Sequence, residues 1–262
     1  MRALIALILA CPVLLAGQQP PASAPAPTSS KIWVGREAEF EEFLKTAEIK
    51  KIVEIGQGVT HPRRAFFAPG GLAGSAIIKA INDGPMAAYL DSWKSEVAAY
   101  ELDKLLDMGM VPPTVERRIE GDRRSVQLWV ENTRSLKKLE GQVSPDIGAW
   151  NRQVYRQRIF DDLIINDDRN AGNILVDPLW NVILIDHSRA FDTRKSKMPA
   201  VLSKIDRPFF EKLKALDKDT LQARIGPYVT FGVDHILQRR DKIVRELEKL
   251  IQEHGEENVL IQ

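Results

Sequence analysis

The chain has 262 residues, 44% hydrophobic and 28% charged, a balance that supports one large domain or two lobes around a sizeable core and excludes a disordered chain. Its 37 basic and 36 acidic residues nearly cancel, so no global charge favours nucleic acid or a strongly anionic surface. The one cysteine, Cys11, excludes an intramolecular disulfide framework and any multi-cysteine metal site.

Met1 to Gly17 is a short apolar segment with an early basic residue, Arg2, and a Pro/Ala/Ser-rich stretch follows to Ser30. The pattern predicts a bacterial export signal or lipoprotein leader plus a flexible tether over 1–30, and hence an exported protein. The apolar run falls short of the roughly 20 residues a membrane span needs. Ile8-Leu9-Ala10-Cys11 resembles a lipoprotein processing box, which would attach the protein to a membrane through lipidated Cys11. An uncleaved amphiphilic leader on a cytoplasmic protein is the alternative. Oligomeric state leaves no mark on the pattern.

The next lobe is expected over 31–131. Glu37 to Ala47 has helical spacing, with Phe40, Phe43 and Leu44 on one side. Strand patterns follow at Lys51–Ile55, Ala65–Phe67 and Ser75–Ala80, separated by Gly56-Gln57-Gly58 and by Pro69-Gly70-Gly71, which predicts a small antiparallel sheet. Strand alternation puts Lys79 on the face of Ile77 and Ile81, so its ammonium is expected to enter a cleft and need an anionic partner. Glu96, early in a helix expected from Asp91 to Met108, can supply one. A solvated edge lysine, with Glu96 an independent surface charge, is the alternative. Gly56 and Gly58 precede that lysine and could let backbone amides approach phosphate, or could simply make a hairpin turn. Thr114–Ile119 and Ser125–Val130 read as two more strands around a Gly121-Asp122 turn. No Gly-x-x-x-x-Gly-Lys-Ser/Thr loop is present, which argues against a P-loop.

From 132 to 262 the pattern is mainly helical, with Phe209–Leu216 and Val233–Glu253 amphipathic. Tyr155, Ile159, Leu163 and Ile164 recur at helical spacing and lead into the polar run Asn166-Asp167-Asp168-Arg169-Asn170-Ala171-Gly172-Asn173. Ile174–Val176 and Val182–Ile185 then form a hairpin pattern across the turn residues Asp177-Pro178 and Trp180-Asn181. That hairpin is expected to set Asn173 opposite Asp186. An amide oxygen and a carboxylate at the open end of two strands suit magnesium that keeps room for phosphate and water. Asp168 stands a few residues away, available to act on a nucleophile. A plain polar loop is the competing reading, but a carboxylate after four apolar residues, as Asp186 is, normally requires a cation or several hydrogen bonds.

The order glycine turn, strand lysine, helix glutamate, then Asp168, Asn173 and Asp186 resembles the atypical kinases of the phosphatidylinositol 3-/4-kinase-like superfamily, especially type II phosphatidylinositol 4-kinases and bacterial relatives. The four-jointed-type secretory kinases share the outline. The spacing Asp168-Arg169-x-x-x-Asn173 and the later Ile185-Asp186 with Ala190-Phe191 carry the likeness. It implies an α+β, bilobal protein-kinase-like fold with a small antiparallel-sheet N-lobe and a helical C-lobe. It also implies an ATP- and Mg2+-dependent kinase acting on a hydroxyl acceptor of protein, lipid or small-molecule type. Lys79 would hold nucleotide phosphates, Glu96 would orient Lys79, Asp168 would take the acceptor proton, and Asn173 and Asp186 would bind the metal. Gln127 to Glu131 would join the lobes and hydrogen-bond adenine, with Trp129 either covering the base or packed in the core. Asn170 stands where several such kinases have histidine, so a mechanism using that histidine does not transfer. His187, after the metal aspartate, is expected to be a local hydrogen-bonding residue. A pseudokinase scaffold and a nucleotidyl transferase on the same fold are the alternatives.

Overall fold

A computed structural model describes residues 28–56, 62–80, 84–86, 89–194, 202–229 and 232–261. Residues 1–27, and with them the expected leader and Cys11, lie outside the described residues. The first helix, α1 (Glu37–Thr46), buries Phe40 and Leu44 and sets Phe43 edge-on to Phe67. Strands β1 (Ile49–Glu54), β2 (Arg63–Phe67), β3 (Ser75–Lys79), β6 (Thr114–Ile119) and β7 (Asp122–Leu128) form one antiparallel sheet in the order β1-β2-β3-β7-β6. Between β3 and the next helix lies a small hairpin, β4 (Gly84–Met86) with β5 (Tyr89–Asp91).

The helix expected from Asp91 to Met108 is α2 (Trp93–Leu105). It starts later because Asp91 is paired in β5, and Ser92 caps the helix by accepting the Lys94 N–H. It stops earlier because Asp107 and Gly109 take positive φ. The β6–β7 turn is Glu120-Gly121, at φ 55° and 90°, with Asp122 already in the strand opposite Ile119. Positive φ at both central residues matches the right-handed twist of the flanking strands, and the second position has the glycine that tolerates it.

The second lobe begins with the short β8 (Arg134–Ser135) and is built on α3 (Ile147–Leu163), α4 (Arg207–Ala215), α5 (Lys218–Arg224), the long α6 (Gly232–His254) and the single-turn α7 (Glu256–Val259). Strands β9 (Ile174–Val176) and β10 (Val182–Leu184) form the expected hairpin, and β8 extends it to three strands. The parallel pair β11 (Ile205–Asp206) and β12 (Leu260–Ile261) ties the chain end to the start of α4. Helix α2 packs its Ala98, Ala99 and Leu102, and Leu106 just after it, into the same core as Phe160, Leu163, Ile236 and Leu247 of the helical lobe. The sheet has its own core, in which Trp33, Phe40, Ala65, Ile78 and Val126 meet. No helix among the described residues is long and apolar enough to cross a membrane.

The lobes are joined twice. One crossing follows β7 through Val130 and Asn132. The other is the segment before α1: Ser30 N–H and Ser29 Oγ donate to Asp177 Oδ2 at 2.9 and 3.1 Å, while Ser30 Oγ reaches the Asn132 carbonyl. The expected tether therefore ends before Ser29. Trp33, 1% exposed, anchors that segment in the sheet core.

Candidate active site

Three charged groups from three elements converge where the lobes meet. Lys79 ends β3, and its Nζ donates to Glu96 Oε1 at 2.5 Å and to Asp186 Oδ1 at 2.6 Å. Glu96 lies in the first turn of α2, where the helix dipole favours an anion, and is 1% exposed. Burial by itself would push the lysine pKa down and the glutamate pKa up. Their mutual attraction reverses both: with Glu96 and Asp186 beside it the Lys79 ammonium is held above the ordinary lysine range, and Lys79 holds the Glu96 carboxyl below the ordinary carboxylate range.

The loop after α3 is organised by a residue that the sequence reading placed in its motif without giving it a role. Arg169, with a side chain 6% exposed, forks onto Asp161 through Nε and Nη2, and its Nη1 donates to the carbonyls of Asn173 at 2.9 Å and Ile185 at 2.6 Å. One guanidinium thus fixes α3, the start of β9 and the end of β10 together. Asn166 joins the same cluster by donating to Asp161, and accepts the Asp168 N–H. Asp161 lies on α3 and Arg169 eight positions later in the loop, a separation with no helical or strand period, which is why spacing arguments missed the pair.

The hairpin register is one residue from that expected. Leu184 pairs with Ile174, and the Ile185 N–H donates to the Asn173 carbonyl, so Asn173 faces Ile185 and Asp186 lies one step beyond. Asp186 has φ 62°, the left-handed region, which breaks the strand direction there and accompanies its contact with Lys79. Holding a non-glycine residue there costs on the order of 1–3 kcal/mol. Asn173 Nδ2 donates to the Asp168 carbonyl, which leaves its amide oxygen as the atom available to a cation. Among the described residues no three His, Cys, Asp or Glu side chains gather into a metal cage. One carboxylate and one amide oxygen are instead a fitting protein share for a hard cation that completes its shell with phosphate and water.

His187 follows Asp186 and is fully buried, edge-on to Phe160. Its backbone N–H donates to Glu96 Oε1 at 3.0 Å, so the local role expected for it belongs to its main chain. Its Nδ1 is 3.6 Å from Glu96 Oε2, too long for a hydrogen bond, and neither ring nitrogen has a hydrogen-bond partner. Burial, and then the Arg169 cation, push this imidazole below its ordinary pKa.

The other predicted residues are not drawn into this cluster. Gly56 is at φ 65°, and Gly58 lies outside the described residues. Gln127 is buried in β7 and donates to Thr114 Oγ1 at 2.8 Å. The Trp129 backbone N–H donates to the Ser75 carbonyl, and its ring carries the Arg64 guanidinium at 3.8 Å. Glu131 pairs with the same Arg64 at 2.7 Å. Asp168 is on the exposed side of the loop, its Oδ2 3.1 Å from Arg189 Nη1. Arg189 is a functional candidate absent from the sequence reading.

No family model matches the chain, and no curated protein does. Solved structures do. The Golgi casein kinase with Mn/ADP bound superposes at a TM-score of 0.66 with 15% identity, over 86% of this chain and 78% of that one. Hydra Fam20 with sugar gives 0.62 and 16%, over 84% and 90%. The Helicobacter pylori proinflammatory kinase CtkA gives 0.54 and 11%, over 82% and 98%. At such identities the likeness is one of fold: the chain has a kinase-like, α+β fold with an antiparallel-sheet lobe and a helical part, as its element order implied. The phosphatidylinositol-kinase part of the resemblance rests on the sequence motifs alone.

Proposed function

We propose that the protein is an ATP- and Mg2+-dependent kinase that transfers the terminal phosphate to a hydroxyl acceptor. The observation that carries this is the meeting of Lys79, Glu96 and Asp186 within 2.6 Å across the lobes of a kinase-like fold. Lys79 is oriented by Glu96 toward nucleotide phosphates, and Asp186 with the Asn173 amide oxygen would hold the metal. A metal held by those two side chains would supply positive charge to offset the charge that develops on the phosphate oxygens. Asp168 accepts the acceptor's hydroxyl proton as the oxygen attacks. Positioning and charge neutralisation account for most of the rate in such a site. The segment after β7 that includes Trp129 and Glu131 borders the adenine position. The structural neighbours named for casein make a protein hydroxyl the first acceptor to try.

Nucleotide-dependent thermal stabilisation with and without magnesium tests binding, because a ligand that binds only the folded state raises stability. Mass analysis of products then separates a gained phosphate from a gained nucleotide. Asp186→Ala should abolish transfer and the magnesium-dependent part of the stabilisation. A wild-type protein that binds no nucleotide would rule the proposal out.

A further inference from the structure

We infer that Arg189 is a positioning residue for proton transfer, aiming the Asp168 carboxylate at the acceptor oxygen. The inference rests on the kinase reading above and adds to it a residue outside the motif. Asp168 sits on a loop held mainly through its backbone: its N–H meets Asn166 Oδ1 at 3.4 Å, and its carbonyl accepts from Asn170 and Asn173 at 3.3 Å. Its side chain is 41% exposed, and among the described residues Arg189 is the partner that holds the carboxylate. A carboxylate on such a loop, without a partner, samples several rotamers, and only some of them face an incoming hydroxyl.

Arg189 is placed on backbone held by hydrogen bonds from two helix ends. It lies in the turn after Asp186, and that turn is gripped from two helices. Ser92 N–H donates to the Ser188 carbonyl at 2.8 Å, and Ser95 Oγ to the Ala190 carbonyl at 3.1 Å, both from α2. The Phe191 N–H donates to the Ile164 carbonyl at 2.6 Å, at the end of α3. An exposed ion pair is ordinarily worth about 0–1 kcal/mol and signals nothing. Here one partner is the candidate base and the other is built on clamped backbone, which is the arrangement that makes a weak pair useful for orientation. With Oδ2 engaged by the guanidinium, Oδ1 is left to take the proton. The acceptor O–H bond breaks and its proton passes to Asp168, the acceptor O–P bond forms, and the bond from phosphorus to the leaving diphosphate breaks. Arg189 exchanges no proton.

The test is steady-state MgATP turnover by the full chain, with water and with casein as acceptors. Arg189→Ala should lower kcat by about 10- to 100-fold, part of what a general base contributes. The KM for ATP should stay within about threefold, since the nucleotide side is untouched. Arg189→Lys should keep part of the rate. In an Asp168→Asn background, Arg189→Ala should cost nothing more, because the two act as one unit. The inference is overturned if Arg189→Ala retains wild-type kcat, or loses the same factor with Asp168 already replaced. If circular dichroism shows that the alanine variant is unfolded, the comparison passes to Arg189→Lys with and without Asp168→Asn, and additive losses there overturn it. A wild-type protein that turns over neither acceptor fails the kinase reading itself, a result visible before any variant is made.

Discussion

Replacing Glu96 by glutamine takes one charge out of the buried cluster and leaves its shape. In the wild type the Lys79 ammonium lies between Glu96 at 2.5 Å and Asp186 at 2.6 Å, and the same Glu96 oxygen accepts the His187 N–H. Breaking a buried pair by removing one partner costs about 3–5 kcal/mol. The glutamine oxygen still accepts from both donors and Asp186 still faces the ammonium, so the lower end applies: about 3 kcal/mol at neutral pH. The pH dependence follows from the shifts. Glu96 is held below its ordinary value, so its contribution is complete above the unfolded pKa of about 4.3 and is lost as pH falls from there toward the folded value. Lys79 is held above its ordinary value, so its contribution is present below about 10.4 and is lost as pH rises beyond it. The gap between wild type and Glu96→Gln should therefore be flat from about pH 5 to 9. On acidification it should narrow by no more than about 1.4 kcal/mol per pH unit, the limit for one proton. Urea unfolding at a series of pH values measures both quantities. A gap below about 1 kcal/mol at pH 7, or one that does not change between pH 5 and 3, would refute the reasoning.

Other substitutions probe the surrounding supports. His187→Phe keeps the edge contact with Phe160 and removes two buried nitrogens that have no hydrogen bond, so it should gain about 1–3 kcal/mol, read as a higher unfolding midpoint; a lower one would mean the ring nitrogens are satisfied in solution. Arg169→Lys cannot reproduce the fork onto Asp161 together with the Asn173 and Ile185 carbonyls, and should lose about 3–5 kcal/mol in denaturant titration, against no change if Arg169 were ornamental. Asp177→Ala strands the donors of Ser29, Ser30 and Asn181 and should cost about 1–3 kcal/mol; faster proteolytic cleavage before α1 is the companion signal, and unchanged cleavage would count against it.

What could be read from the chain was chemistry that stands out against its background. Lys79 at the end of an apolar strand and Asp186 after four apolar residues announce themselves, because a charge in such surroundings needs a partner. Glu96 was legible only through Lys79. The partners of Arg169, a motif residue, and of Arg189 were not legible, since an arginine in a polar run is unremarkable until the fold delivers Asp161 or Asp168 to it. Asp177 read as an ordinary turn residue, and nothing local says that its carboxylate receives a segment almost 150 positions earlier. The parallel pair β11–β12 was hidden for a similar reason: two residues against two, from distant parts of the chain, leave no period to detect. Register was missed by one step, because alternation fixes which face a residue takes but not how far the turn at Asp177–Asn181 extends.

The segment from Ser29 to Trp33 has a mechanical meaning. Its hydrogen bonds to Asp177 and to the Asn132 carbonyl place it alongside the connection that leaves β7, so the lobes are linked by two neighbouring lengths of chain. A single connection is a swivel, free to bend and to twist. Two side by side oppose twisting of the sheet lobe against the helical lobe more than tipping, because a twist must stretch one length against the other. Lys79 and Asp186, which meet across the lobes, lie on opposite sides of that double link.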